Sequence, residues 1–248
     1  MKASDTEARL ASGQWLDRLD NAAALGVMLA SQGEAADAVA ASLVPIERAV
    51  DAMVARLSAD DQARIIYAGA GTSIRIAVQD GVELGPTFDW PSGRLAYLVA
   101  GGDGALMKAV ENAEDDGKAA EDAVAALNLT PSDILIGLSA SGGTVFTCAA
   151  VAAAARTGAL TIGIANNDGT ALLDRSDIAI PLVTGAEAVA GSTRLKAGTA
   201  QKICLNMVST LVMTRLGYVR DGQMVAMKPG NAKLRARFER IHGVMDQG

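Results

Sequence analysis

Residues 133–144 read DILIGLSASGGT. A short apolar run enters a turn in which five of six residues, 139 to 144, are Ser, Gly or Thr. The alanine-rich stretch GTVFTCAAVAAAARTG (143–158) follows and closes on Gly158, a residue suited to the left-handed end of a helix. The unit is therefore strand, glycine turn, helix. Its frame G-x-x-x-x-G-x-T is that of a nucleotide phosphate loop except at the lysine position, which is Gly143. Without that lysine nothing reaches the outer phosphates of a nucleotide. The turn is still able to hold a phosphate of another kind.

The same unit recurs on both sides. RIIYAGA (64–70), RLAYLVAGG (94–102), ALTIGIAN (159–166) and DIAIPLV (177–183) read as further strands. Helical patterns are expected at 73–84, near 104–112, at 117–127, over 195–216 and, after a short run QMVAM (223–227), at 231–241. The strands are continuous apolar runs, as in a parallel sheet covered on both faces. Residues 4–58 read as helices, with Trp15, Leu16 and Leu19, then Val39, Leu43, Ile46, Val50 and Val54, at helical spacing. Pro45 there is expected to kink a helix or start one. The expected fold is α/β, with a five-stranded parallel sheet and helical segments at both ends. The division is 1–58, an N-terminal helical segment, 59–220, the α/β domain, and 221–248, a C-terminal helical segment packed on that domain.

Bulk properties exclude several roles. The net charge is −6, which disfavours nucleic-acid binding. No window is long and apolar enough for a membrane span. The start MKASDTEARLASGQWLD lacks an apolar core, so no signal peptide is expected and the location is cytoplasmic. Cys148 and Cys204 lie in apolar helical segments and read as reduced core thiols. One histidine, His242, leaves no material for a histidine triad or a His-rich metal site, and a structural or exposed place is expected for it.

Ligands of an open parallel sheet bind at the carboxyl ends of its strands. Two such ends carry glycine with hydroxyls and lead into helices: GAGTS (69–73) and SASGGT (139–144). Backbone N–H groups at a helix start plus neutral hydroxyls form an anion site without lysine. The same residues also serve as ordinary helix caps. GAGTSI nearly matches a dinucleotide fingerprint, but Ile74 replaces the third glycine and the acid, Asp89, precedes the second strand.

Longer stretches carry a resemblance. GAGTSIR (69–75), GPTF (85–88), AGG (100–102), VENAEDD (110–116), SASGGT (139–144), GSTRLKAGTAQKICLNMVST (191–210) and NAKL (231–234) resemble the sugar isomerase (SIS) domain superfamily, and within it the N-acetylmuramic acid 6-phosphate etherases. The resemblance implies an SIS-type three-layer α/β/α domain. It implies cleavage of the D-lactyl ether at C3 of the phosphosugar in cell-wall sugar recycling, without metal or organic cofactor. Two glutamates are implied for acid–base work, Glu83 as the acid for lactate and Glu114 as the base at C2. On the residues alone, Val82 and Leu84 give Glu83 an apolar setting that would raise its pKa. Glu114, among four acids within six residues, reads as a solvated helix face.

Gly71, Thr72, Ser73, Ser139, Ser141 and Thr144 are the expected phosphate and sugar contacts. Ser192, Thr193, Arg194 and Lys196, at the start of the long helix, are added to them. Arg194 or Lys196 would meet the lactyl carboxylate or the phosphate, or else serve in a salt bridge or interface. The chain departs from the family pattern at Ile74, expected to crowd the first loop, at Gly143 (arginine), Val145 (proline) and Leu10 (asparagine). It also stops at Gly248, where relatives continue into a further helical region. Isomerase or lyase action on another phosphosugar, or a non-catalytic phosphosugar-binding regulatory role, stands as the alternative. A homodimer is expected, since SIS domains commonly pair so that one subunit completes the other's site.

Overall fold

A computed structural model of the chain describes residues 5–108 and 110–225. The expected helix at 231–241, NAKL and His242 lie outside the described residues.

Five strands, β1 (Ile65–Gly69), β2 (Leu95–Val99), β3 (Ile134–Ser139), β4 (Leu160–Ala165) and β5 (Ile178–Pro181), form one sheet in the order β2-β1-β3-β4-β5. Every pairing is parallel. Residues of β1, β3 and β4 are buried throughout, which is why their sequences do not alternate. Alternate side chains feed two cores. Ile65, Tyr67, Ile134, Ile136 and Ile162 face one layer, formed by α2 (Leu43–Ala59), α3 (Gly71–Val82) and α8 (Lys196–Arg215). Ile66, Ala68 and Leu135 face the other, formed by α5 (Gly117–Leu127) and α6 (Val145–Ala155). Close approach dictates a glycine at one sheet position: a Cβ on Gly137 would lie 2.7 Å from Val151 of α6.

The N-terminal region is helical only in part. Residues 5–18 make three 3-10 turns, Asp5–Glu7, Ser12–Gln14 and Leu16–Arg18, before α1 (Asn21–Ala40) begins behind the Asp20 cap. A break at 41–42 separates α1 from α2, and Pro45 sits in the first turn of the new helix, where its missing N–H is not required.

The expected helix near 104–112 is absent. In its place stand 3-10 turns at Asp103–Leu106 and Ala113–Asp115. Gly101, Gly102 and Asn112 have positive φ and cannot continue a right-handed helix. Short helices α4 (Leu84–Phe88) and α7 (Ala171–Asp174), and a two-stranded hairpin of β6 (Val219–Arg220) and β7 (Gln223–Met224), complete the described chain. No helix among the described residues is long and apolar enough to cross a membrane.

Candidate functional site

The β3–α6 turn is held by its own hydroxyls. Ser139 Oγ lies 2.8 Å from Thr144 Oγ1 and 3.2 Å from Ser141 Oγ. Ser139 Oγ also accepts the Gly142 N–H at 3.0 Å, and Ser141 Oγ accepts that of Gly143 at 3.2 Å. Gly142 takes φ +69°, and a Cβ there would fall inside the Thr170 side chain. Thr144, the residue before α6, makes no side-chain cap to the helix because its hydroxyl is turned to Ser139. The first N–H groups of α6 thus remain available to an anion. A Cβ on Gly143 would meet nothing nearer than Ser141 Oγ at 3.9 Å, so this corner of the site is open.

The β1–α3 turn stands beside it. Gly71 has φ +54° and begins α3, with Thr72 half-buried and Ser73 buried. Ile74 does not crowd this loop. It is 1% exposed and points into the core, where it lies 3.3 Å from a Cβ built on Gly69. The added bulk is accommodated because residue 69 has no side chain.

The start of α8 closes a third side. A Cβ on Gly198 would lie 3.4 Å from Thr72 Cγ2. The N-terminus of α8 is already occupied: the fully buried Glu187 carboxylate accepts the N–H groups of Lys196 at 3.0 Å and Ala197 at 2.9 Å. Lys196 is buried, and its ammonium pairs with Glu34 of α1 at 2.6 Å. Ser192 and Thr193 are half-buried in the turns before α8, and Arg194 is exposed. Asn166 and Asn167, after β4, tie the region together. Asn166 donates to Leu182 O and Ala197 O and accepts from Gln201. Asn167 donates to Ala140 O at 2.9 Å and to Thr6 Oγ1. Nothing in the spacing singles out Glu187 or Thr6. The Asn-Asn pair at the end of a strand is the signal in the sequence that could have found this linkage.

The two glutamates are not brought together. Glu114 lies in the 3-10 turn Ala113–Asp115, which packs against α6, and is exposed. It shares the carboxyl edge of the sheet with the hydroxyl turn. Glu83 is the residue after α3, whose 12 residues carry it about 18 Å from Gly71, toward the opposite edge. It is exposed, and so is Val82 at 52%; only Leu84 turns inward. The apolar setting expected for Glu83 is therefore not found in the single chain, because the helix end turns residues 82 and 83 outward together. Among the described residues no group of three or more His, Cys, Asp or Glu is placed to hold a metal ion. Cys148 and Cys204 are both buried and unpaired.

Comparison with known proteins places this architecture. Residues 46–155 match the glucokinase regulatory protein N-terminal SIS domain, and residues 107–213 match the SIS domain. An N-acetylmuramic acid 6-phosphate etherase of Rubrobacter xylanophilus is 43% identical over 236 residues, covering 95% of this chain and 78% of the relative. The Deinococcus radiodurans protein of the same name is 45% identical, covering 91% and 73%. The chain belongs to the N-acetylmuramic acid 6-phosphate etherase family. A more distant fold agrees with the architecture. A phosphoheptose isomerase from Francisella tularensis superposes with TM-score 0.59 at 21% identity, covering 79% of this chain and 100% of that one. The hydroxyl turn of this member carries Gly143 and has no cation within residues 139–144.

Proposed function

We propose that the chain cleaves the D-lactyl ether of N-acetylmuramic acid 6-phosphate, giving N-acetylglucosamine 6-phosphate and D-lactate. The observation that carries this is the identity of 43% or more to etherases over nearly the whole chain. The lysine-free hydroxyl turn supports a phosphate monoester as its ligand. Ser139, Ser141 and Thr144, with the first N–H groups of α6, bind the 6-phosphate. Gly71, Thr72 and Ser73 bind the sugar from the neighbouring turn, with Ser192, Thr193 and Arg194 on the third side. The ammonium of Lys196 is held by Glu34, so its contribution is to set the start of α8.

The reaction starts from the open-chain aldehyde, whose carbonyl acidifies C2. Glu114 takes the C2 proton, the C3–O bond breaks, and Glu83 delivers a proton to the departing lactate oxygen. Water then adds at C3 of the unsaturated aldehyde, so the net change is hydrolysis of the ether. Each step moves one proton to or from a carboxyl group, and no redox partner enters.

The two glutamates work in one site only if a second chain supplies one of them. Glu83 is exposed and lies a helix length from its own β1–α3 turn, which supports a homodimer in which the partner's helix end reaches the carboxyl edge bearing Glu114. The enzyme acts in the cytoplasm, where the cell-wall sugar is recycled. The test is D-lactate release from N-acetylmuramic acid 6-phosphate, with Glu83→Gln and Glu114→Gln as controls. Lactate from the wild type and none from either variant is expected. No lactate from a folded protein that binds the sugar phosphate would move the assignment to a phosphosugar-binding regulator or to action on another phosphosugar.

A further inference from the structure

The N-terminal strap, residues 5–18, crosses the carboxyl edge of the sheet and borders an open cavity, at which Arg9, Asp17 and Arg18 are exposed. Thr6 is fully buried, and its backbone O accepts the Gly191 N–H at 3.0 Å. Asn167 donates both to Thr6 Oγ1 and to Ala140 O of the hydroxyl turn, so a single side chain joins strap and turn. Beyond this anchor the strap folds back on itself, with Trp15 Nε1 donating to Leu10 O at 2.9 Å. Between the folded strap and residues 187–190 lies a cavity of about 490 Å³, a size suited to a small-molecule ligand.

Its lining is chemically two-sided. Leu10, Trp15 and Leu16 offer apolar surface, while Arg9 and Arg18 offer two guanidinium groups. Arg18 lies over the Trp15 ring at 4.4 Å, a cation–π contact at the cavity. Two carboxylates also line the cavity. Glu187 is committed to the N–H groups of Lys196 and Ala197, which leaves Asp17 as the uncommitted one. Arg9 is three residues beyond Thr6, so its Cα lies within about 11 Å of that anchor. The cavity is joined to the hydroxyl turn through Thr6, Asn167 and Ala140.

We infer that this cavity is the subsite for the 3-O-lactyl group, with Arg9 and Arg18 receiving its carboxylate and Trp15, Leu10 and Leu16 facing its methyl. The inference rests on the etherase reading and adds specificity to it. The strap selects the sugar that carries a carboxylate over the one that has lost it.

The experiment compares two ligands that differ only in the lactyl group. KM for N-acetylmuramic acid 6-phosphate and the inhibition constant of N-acetylglucosamine 6-phosphate are measured for wild type, Arg9→Ala, Arg9→Lys, Arg18→Ala and Arg194→Ala, each with its melting temperature. Arg9→Ala and Arg18→Ala are expected to raise KM about ten-fold or more, the loss of a charged hydrogen bond, while the inhibition constant moves less than about two-fold. Arg9→Lys is expected to fall between. An equal rise of both constants marks the strap as a structural brace and overturns the inference. So does a selective loss confined to Arg194→Ala. A wild type that binds both sugar phosphates but releases no lactate refutes the etherase reading alone. The ratio of the two equilibrium affinities in Arg9→Ala against wild type then decides the subsite.

Discussion

Glu187 has no solvent exposure, and both of its carboxylate oxygens accept backbone N–H groups at the start of α8. Replacing it with alanine leaves two buried donors without partners and removes a negative charge from a helix N-terminus. A loss of about 2–4 kcal/mol in urea unfolding is expected, with Glu187→Gln milder. Asp133 makes a different argument. Burial alone would raise its carboxyl, but the Arg64 guanidinium and the N–H groups of Thr130 and Arg64 outweigh burial and hold it below the ordinary value. A carboxyl depressed in the folded state lends stability that is complete above the ordinary aspartate range and drains as pH falls through the folded value. Asp133→Asn should therefore cost about 2–3 kcal/mol at pH 7 and less than about 1 kcal/mol near pH 2. Urea titrations of both proteins at the two pH values check the difference. A constant gap would mean that the aspartate acts through packing rather than charge.

At the scale of elements, the turn between β3 and α6 carries the proposed phosphate site. Gly142 combines positive φ with contact against Thr170, and its carbonyl accepts the Leu172 N–H at 2.9 Å. Gly142→Ala is expected to push the turn outward, cost about 1–3 kcal/mol and raise KM for the phosphosugar about ten-fold. Steady-state kinetics beside a melting curve separate the two effects; an unchanged KM would place the phosphate elsewhere. The expected and observed strands agree to within three residues at every end because buried parallel strands leave an unbroken apolar signature. The expected helix near 104–112 fails for a local reason. Its apolar residues have helical spacing, but positive φ at Gly101, Gly102 and Asn112 on either side turns the chain into 3-10 pieces. Ile74 departs in the opposite sense. Its bulk suggests an intrusion on the loop, yet the first turn of α3 aims it into the core beneath Gly69.

At the scale of the whole molecule, α3 separates the two glutamates along one chain, so a site shared between chains makes a distinct prediction. Glu83→Gln and Glu114→Gln proteins, each inactive alone, should regain about a quarter of wild-type lactate release when unfolded and refolded together. Random pairing makes half of the dimers mixed, and each mixed dimer holds one intact site of two. No recovery from a mixture shown to exchange subunits would return both glutamates to a single chain.

Sequence by itself determined the layered α/β class, the glycine turns at two strand ends and the family, since these depend on local pattern: continuous apolar runs, turn chemistry and a long motif at 191–210. Tertiary structure decided what those local features face. Lys196 sits among candidate ligands in sequence, but the packing of α1 on α8 gives its ammonium to Glu34. Glu83 follows an apolar helix in sequence, but the direction of α3 carries it to the surface. Arg9, Trp15 and Arg18 have no motif between them, and they line one cavity because Asn167, 161 residues beyond Thr6, and Gly191 fasten the strap across the sheet. A side chain's partner is set by which elements pack together, and that depends on contacts between residues far apart in the chain.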